Sequence, residues 1–271
     1  MKQDLAAAVS KVPAVTLGFW IIKILATTLG ETGGDSVTMT LDWSKILGTG
    51  ADAASMTLQW GYLIGTAIFL SILVVLVWLQ IRAKAFHPLL YWATIIASTT
   101  AGTTMADFAT RSIGIGYTGG STLLLGCVLA SLFVWHRAMG SISVETVHEP
   151  RAETFYWITI TFSQTLGTAL GDWAADTGGL GYIGAAVVFA VMLAVVALLY
   201  WRSSVSHVVL FWAAFILTRP LGAAVGDWLD KPIAKGGLDF SRPVASAVLA
   251  VVILLLIFIL PQRGATHPGK A

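Results

Sequence analysis

Charge is what this chain has least of. Only 11% of its 271 residues are Asp, Glu, Lys or Arg, against about 25% in soluble proteins, and this excludes an ordinary water-facing domain. Cysteine is nearly absent. Cys127 stands alone in an apolar run, so neither a disulfide within the chain nor a cysteine metal cluster can form. Histidine occurs only at positions 87, 136, 148, 207 and 267, all read as lying away from the acidic residues, which argues against a His-rich zinc or copper site. A phosphate loop, a GxSxG elbow, an HExxH pair and a Cys–His pairing are all missing. The chain therefore reads as a non-enzyme with no tightly bound cofactor. It also has no long polar stretch from which a separate soluble domain could be built.

Apolar residues fill the space that charge leaves. They make up 56% of the chain, and the mean hydropathy is +0.81. Runs such as 63–79, 185–200 and 244–260 approach the ~20 residues that a helix needs to cross a bilayer. The fold class expected is all-α: a polytopic membrane protein forming a single membrane domain over residues 1–271. Eight transmembrane helices are placed near 13–36, 58–81, 88–111, 116–136, 153–175, 180–201, 206–229 and 242–260. Residues 1–13 lack the short apolar core of a signal peptide, so the first span is expected to be retained. The connection 36–57 is the longest and carries Asp42, Lys45 and Asp52.

An even number of spans puts both termini on one side. That side holds Lys2, Lys11, Arg82, Lys84, Arg137, Arg151, Arg202, Arg263 and Lys270, against Lys45, Arg111, Lys231, Lys235 and Arg242 opposite. The excess places the termini in the cytoplasm.

One pattern is written four times: [Phe/Tyr]-Trp-x9-Gly-x3-[Gly/Ala]-Asp. Its copies are Trp20, Gly30 and Asp35; Trp92, Gly102 and Asp107; Trp157, Gly167 and Asp172; and Trp212, Gly222 and Asp227. Gly34, Ala106, Gly171 and Gly226 precede the aspartates. Each copy falls in an odd-numbered helix, and an apolar even-numbered helix follows it. The units run approximately over 14–81, 88–138, 153–202 and 207–260. Two helices per unit make the repeats parallel. A pseudo-fourfold bundle with the odd helices inside is the expected arrangement, and two pseudo-twofold halves would also satisfy the pattern.

The tryptophans read as interfacial anchors and the small pairs as close helix contacts. Pro220 and the glycines of the first helix (Gly30, Gly33, Gly34) are expected to loosen their helices and free carbonyls. A Gly-aromatic marker (Gly61-Tyr62, Gly116-Tyr117, Gly181-Tyr182, diverged to Asp239-Phe240) should start each even helix at the outer interface. The charge-mixed run 136–153 looks like a solvated loop.

A carboxylate at membrane depth costs several kcal/mol, so four at one register need a common reason. Glu31, Asp35, Asp107, Asp172, Asp176, Asp227 and Asp230 lie in or near the spans, and only Lys23 and Arg219 oppose them there. Some of the acids must be protonated, solvated in a vestibule or neutralised by a bound cation, or else cap helix ends and loop amides, and a bound cation is the favoured balance. The candidate cation site comprises Glu31, Asp35, Asp107, Asp172 and Asp227, with the four aspartates as metal ligands. Lys23 and Arg219 are candidate countercharges, and Thr104, Met105, Asp176 and Asp230 are candidate accessory ligands. Carboxylates with a thioether from Met39 or Met105 suit Mn²⁺ or Fe²⁺ better than Mg²⁺.

From Phe19 to about Leu260 the chain resembles the bacterial membrane proteins built from a "repeat of unknown function" (domain of unknown function 347). That resemblance implies an eight-span protein of the bacterial inner membrane and carries no mechanism. Glu31-Thr-Gly-Gly-Asp35 is also similar to the Glu-x-Gly-Asp motif of certain manganese and calcium exporters, with one more residue between the acids and no Glu in repeats two to four. The reading is a secondary transporter that exports a divalent cation, Mn²⁺ by preference, with protons competing for the same carboxylates. A monovalent-cation channel and a non-transporting sensor or interaction protein are the alternatives. The partners expected are the lipid bilayer, the metal cation and protons, and no nucleic acid. Assembly into a homo-oligomer is left open.

Overall fold

The computed structural model describes residues 10–41, 46 and 54–265, and eight α-helices are formed among the described residues. They are α1 (Leu17–Thr38), α2 (Ala54–Arg82), α3 (Pro88–Asp107), α4 (Gly116–Met139), α5 (Pro150–Asp172), α6 (Gly181–Arg202), α7 (His207–Asp230) and α8 (Arg242–Ile259). The described residues contain no strand, only one isolated bridge between Pro13 and Gly264. Asp42, Lys45 and Asp52 of the first connection, and Lys2 and Lys270 of the charge count, lie outside the described residues.

Local chemistry sets the helix ends. The Thr16 hydroxyl accepts from the Phe19 amide at 3.3 Å and caps α1. Pro88 and Pro150 open α3 and α5, where a missing N–H is harmless. After Asp107 and Asp172 the backbone widens into single π-helical turns, Phe108–Ser112 and Trp173–Thr177.

The Gly-aromatic marker has a backbone cause. Gly116, Gly181 and Asp239 all take positive φ (66°, 64° and 56°), the region glycine enters freely and aspartate tolerates. In the first repeat the marker does not start a helix, since α2 begins at Ala54 and Gly61 lies inside it. The expected loosening is absent too. α1 runs unbroken through its glycines, and α7 runs through Pro220.

Packing divides the helices into two sets. α1 packs on α3, α3 on α5, α5 on α7 and α7 on α1, which closes a ring. Each even helix lies outside the next odd one: α2 on α3, α4 on α5, α6 on α7, and α8 on α1. Among the described residues five helical segments are long and apolar enough to cross a membrane: Trp60–Arg82, Gly116–Met139, Gly181–Arg202, His207–Asp230 and Arg242–Ile259. These are the four even helices and α7. The even helices bury only 11–22% of those windows, whereas α7 buries 67%. Their exposed Val, Leu and Phe side chains, Val74, Phe133, Val191 and Phe258 among them, form an apolar outer surface. The protein is a multi-pass membrane protein.

The ring is built from one stripe at i, i+4 spacing on each odd helix, the row of residues that share a helix face. The stripes are Phe19-Lys23-Thr27-Glu31-Asp35, Tyr91-Ile95-Thr99-Thr103-Asp107, Tyr156-Ile160-Gln164-Thr168-Asp172 and Phe211-Phe215-Arg219-Ala223-Asp227. None of these side chains is more than 8% exposed.

At the end near the chain termini the stripes begin in an aromatic collar. Phe19 packs on Trp92, Tyr91 on Trp157, Tyr156 on Trp212, and Phe211 on Trp20, with centroids 5.5–6.2 Å apart. Trp92, Trp157 and Trp212 are buried and Trp20 is half-buried. The tryptophans therefore lock the ring from within and do not stand in lipid as interfacial anchors. Each such aromatic pair contributes about 0.5–1.5 kcal/mol beyond area burial.

Below the collar the two ends of the described chain meet. Ser10 N–H donates to Ala265 O, Ala265 N–H to Val12 O, and Ala14 N–H to Arg263 O, all within 2.9 Å. Lys11 pairs with Glu153 at 2.6 Å and also donates to the carbonyl of Gln80. Part of the run 136–153 joins this floor, while residues 148–151 are exposed as expected of a solvated loop. Val144 and Val147 are buried, and both carbonyls accept from the Ser10 hydroxyl.

Candidate functional site

The small residues of the repeat determine how close the ring helices come. Gly30 faces Thr99, Gly102 faces Gln164, Gly167 faces Arg219 and Gly222 faces Thr27. Each glycine thus receives the side chain three residues before the glycine of the next ring helix. One turn on, Gly34 receives Thr103, Gly171 receives Ala223 and Gly226 receives Glu31. The glycines let the backbones approach, and the residues they receive stand in the ring centre.

Arg219, wholly buried, lies at the middle of the stripe. Its Nη2 donates to Glu31 Oε2 at 2.9 Å, to Thr103 Oγ1 at 2.6 Å, and to Thr168 Oγ1. Three other ring helices thus meet on one guanidinium of α7. Lys23, also wholly buried, lies over the Phe215 ring at 4.2 Å from its centroid, and its Nζ has no hydrogen-bond partner among the described residues.

At the far end the aspartates fall into two clamped pairs. Arg111 reaches Asp107 at 3.1 Å and Asp172 at 3.1 Å. The hydroxyls of Tyr62 and Tyr117 accept from the same guanidinium at 2.9 and 3.1 Å. Lys231 reaches Asp227 at 2.9 Å, Asp230 at 3.8 Å, and Asp35 in a short ion pair. Arg242 holds the other oxygen of Asp230 at 3.4 Å. Burial pulls the Lys231 ammonium towards a lower pKa, but Asp227, Asp35 and Asp230 outweigh it and hold the group well above its ordinary value.

Glu31, Asp35 and Asp227 form one group, each offering a carboxylate oxygen within 4.8 Å of the others, and all three are buried. Asp107 and Asp172 stand with Arg111 instead. Of the other candidate ligands, Asp230 is buried beside Lys231, and Asp176 is exposed. The Thr104 hydroxyl donates to the carbonyl of Ala101 in its own helix, and Met105 is half-buried. The Sδ of Met39 lies 3.9 Å from Lys231 Nζ, beside the acidic group.

Three bases escape a reading of the spans by hydropathy. Arg111, Lys231 and Arg242 stand at the ends of their spans in sequence but reach back into the acidic layer. Lys23 and Arg219 are therefore not the only cations there. The signal was present: Asp107-x3-Arg111 and Asp227-x3-Lys231 are i, i+4 acid–base pairs on their helices. In the other two repeats the same place holds Met39 and Asp176.

The model of the "Repeat of Unknown Function (DUF347)" family matches this chain at residues 18–50, 44–86, 90–141, 155–206 and 210–263. The chain belongs to the DUF347 family. Two overlapping matches cover the first unit and its long connection, and one match covers each of the others. No curated protein and no solved structure matches the chain.

Proposed function

We propose that this DUF347 protein is an eight-span secondary transporter that carries a divalent metal cation as its substrate. Glu31, Asp35 and Asp227 bind the cation, and Lys231 is a tethered occupant that leaves as the cation arrives. The observation that carries the reading is the convergence of these three buried carboxylates from α1 and α7 in a membrane protein. Oxygen donors select hard or borderline cations. The Met39 thioether beside them favours Mn²⁺ or Fe²⁺ over Mg²⁺. Protons compete for the same oxygens and supply the coupling.

The ring contacts support a pseudo-fourfold inner bundle of α1, α3, α5 and α7, which the Arg111 and Lys231 clamps reduce to two halves. The basic residues Lys11, Arg82, Lys84, Arg137, Arg151, Arg202 and Arg263 favour a cytoplasmic collar end in a bacterial inner membrane. Export is the direction favoured by the likeness of Glu31…Asp35 to the exporter motif. A continuous pore for monovalent cations is the weaker reading, because four aromatic pairs fill one end of the ring.

The test is flux into proteoliposomes across Mn²⁺, Fe²⁺, Ca²⁺, Mg²⁺, K⁺ and H⁺. We expect saturable Mn²⁺ flux that Asp35→Asn and Asp227→Asn abolish while both variants still insert. Full activity in both variants would sink the assignment. Single-channel steps would favour a pore, and silence across the panel would favour a sensing or interaction role.

A further inference from the structure

We infer that the molecule is built as two four-helix halves that part at the acidic end. One half is α2, α3, α4 and α5, and the other is α6, α7, α8 and α1. The parting itself rests on packing and bonds. Its use, to admit the cation to Glu31, Asp35 and Asp227, rests on the transport reading.

The residue four places after each repeat aspartate draws the division. Arg111 bridges α3 to α5, and Lys231 bridges α7 to α1. The same place holds Met39 after Asp35 and Asp176 after Asp172. A thioether is no more than a weak acceptor, and one carboxylate repels another, so neither residue can clamp α1 to α3 or α5 to α7. The outer helices follow their ring helices. α2 and α4 lie on α3 and α5, and their Tyr62 and Tyr117 hydroxyls accept from Arg111. α6 and α8 lie on α7 and α1, and Arg242 at the head of α8 holds Asp230. The chain passes from one half to the other between α1 and α2 and again between α5 and α6.

Bonds across the halves gather at the opposite end and in the middle. At the floor, Lys11 pairs with Glu153 at 2.6 Å, and the Ser10 hydroxyl donates to Val144 O at 2.6 Å. The indole N–H of Trp92 donates to Gln262 at 3.2 Å, and that of Trp212 to Ile142 O at 3.0 Å. In the Glu31 layer, Arg219 donates to Thr103 and Thr168, and Thr103 donates to Gly30 O at 3.0 Å. Beyond that layer, among the described residues, side-chain hydrogen bonds and ion pairs between different helices stay within one half. The halves meet there by packing, with Thr38 of α1 against Gly65 of α2. Dispersion contacts weaken within about 1 Å of separation. Parting the floor would instead strand buried charges and hydrogen-bonding groups. The acidic end is the one that parts, with the Glu31 layer as its fulcrum.

The test compares two threonines, each buried against a glycine at the acidic end. Thr38 faces Gly65 across the halves, and Thr110 faces Gly120 inside one. Thr38 is 1% exposed, Thr110 6% and Ser10, which spans the halves at the floor, 0%. In a Cys127→Ser background, Thr38→Cys, Thr110→Cys and Ser10→Cys are each treated in mild detergent with a membrane-impermeant maleimide, and labelling is followed by mass spectrometry. Thr38→Cys should react at least roughly tenfold faster than the other two, although it is buried more deeply than Thr110. Equal rates, or a faster Thr110→Cys or Ser10→Cys, overturn the proposal. A second measurement uses disulfides in proteoliposomes. Oxidised Thr38→Cys/Gly65→Cys should arrest Mn²⁺ flux until reductant is added, whereas oxidised Thr110→Cys/Gly120→Cys should not. Each locked chain is its own control, so a folding defect cannot imitate this result. Undiminished flux through the cross-half disulfide overturns the proposal. Absence of flux in the native protein sinks the transport reading instead, and the labelling rates then decide whether the halves part.

Discussion

At the residue scale, Arg111 and Lys231 do for the aspartates what hydropathy alone could not suggest. Each bridges the carboxylate four residues before it to one on the next ring helix. Removing one base leaves two acids unpaired in a poorly hydrated layer. Arg111→Met should cost ~2–3 kcal/mol, at the low end for buried pairs because the guanidinium is partly exposed. Changing Asp107 and Asp172 to Asn in the same background should recover most of the loss, as measured by thermal unfolding in detergent. Lys231→Gln should behave differently. It removes the tethered competitor, so the variant should melt early without metal and regain stability on Mn²⁺ addition. A variant whose Tm ignores Mn²⁺ would separate Lys231 from any metal chemistry.

At the element scale, the glycines of the repeat are not interchangeable. Gly102→Ala would press a methyl against the Gln164 backbone, which cannot swing aside, and should cost roughly 1–3 kcal/mol. On Gly33 the nearest atom to an added Cβ is 3.9 Å away, so Gly33→Ala should be neutral or gain up to about 1 kcal/mol from helix propensity. Gly102→Ala should lower the melting temperature, and Gly33→Ala should leave it unchanged or raise it. Much of this level was legible beforehand. The even helices announce themselves as apolar runs, and the Trp–Gly–Asp register marks the odd ones. The environment of the tryptophans was not legible, because a lipid boundary and a ring of aromatic neighbours satisfy an indole equally well in sequence. The reach of Arg111 and Lys231 was missed because a hydropathy boundary says where a helix leaves lipid. It does not say where a long side chain then points.

At the scale of the whole molecule, neighbour relations are what one sequence withholds. The pattern implies four like units, but not that each even helix leans on the ring helix of the following unit. That offset ties every unit to the next, and α8 on α1 completes the circuit. The hydrogen bonds among Ser10, Val12, Ala14, Arg263 and Ala265 stand where a connecting loop would otherwise run from α8 to α1. The order in which the units are translated is therefore a convention of the gene more than a demand of the fold. A circular permutant, with a short Gly/Ser linker joining residues 10 and 265 and new ends opened between residues 83 and 87, should insert and melt within a few degrees of the native protein, as measured in detergent. It would start at α3, with every ring contact kept.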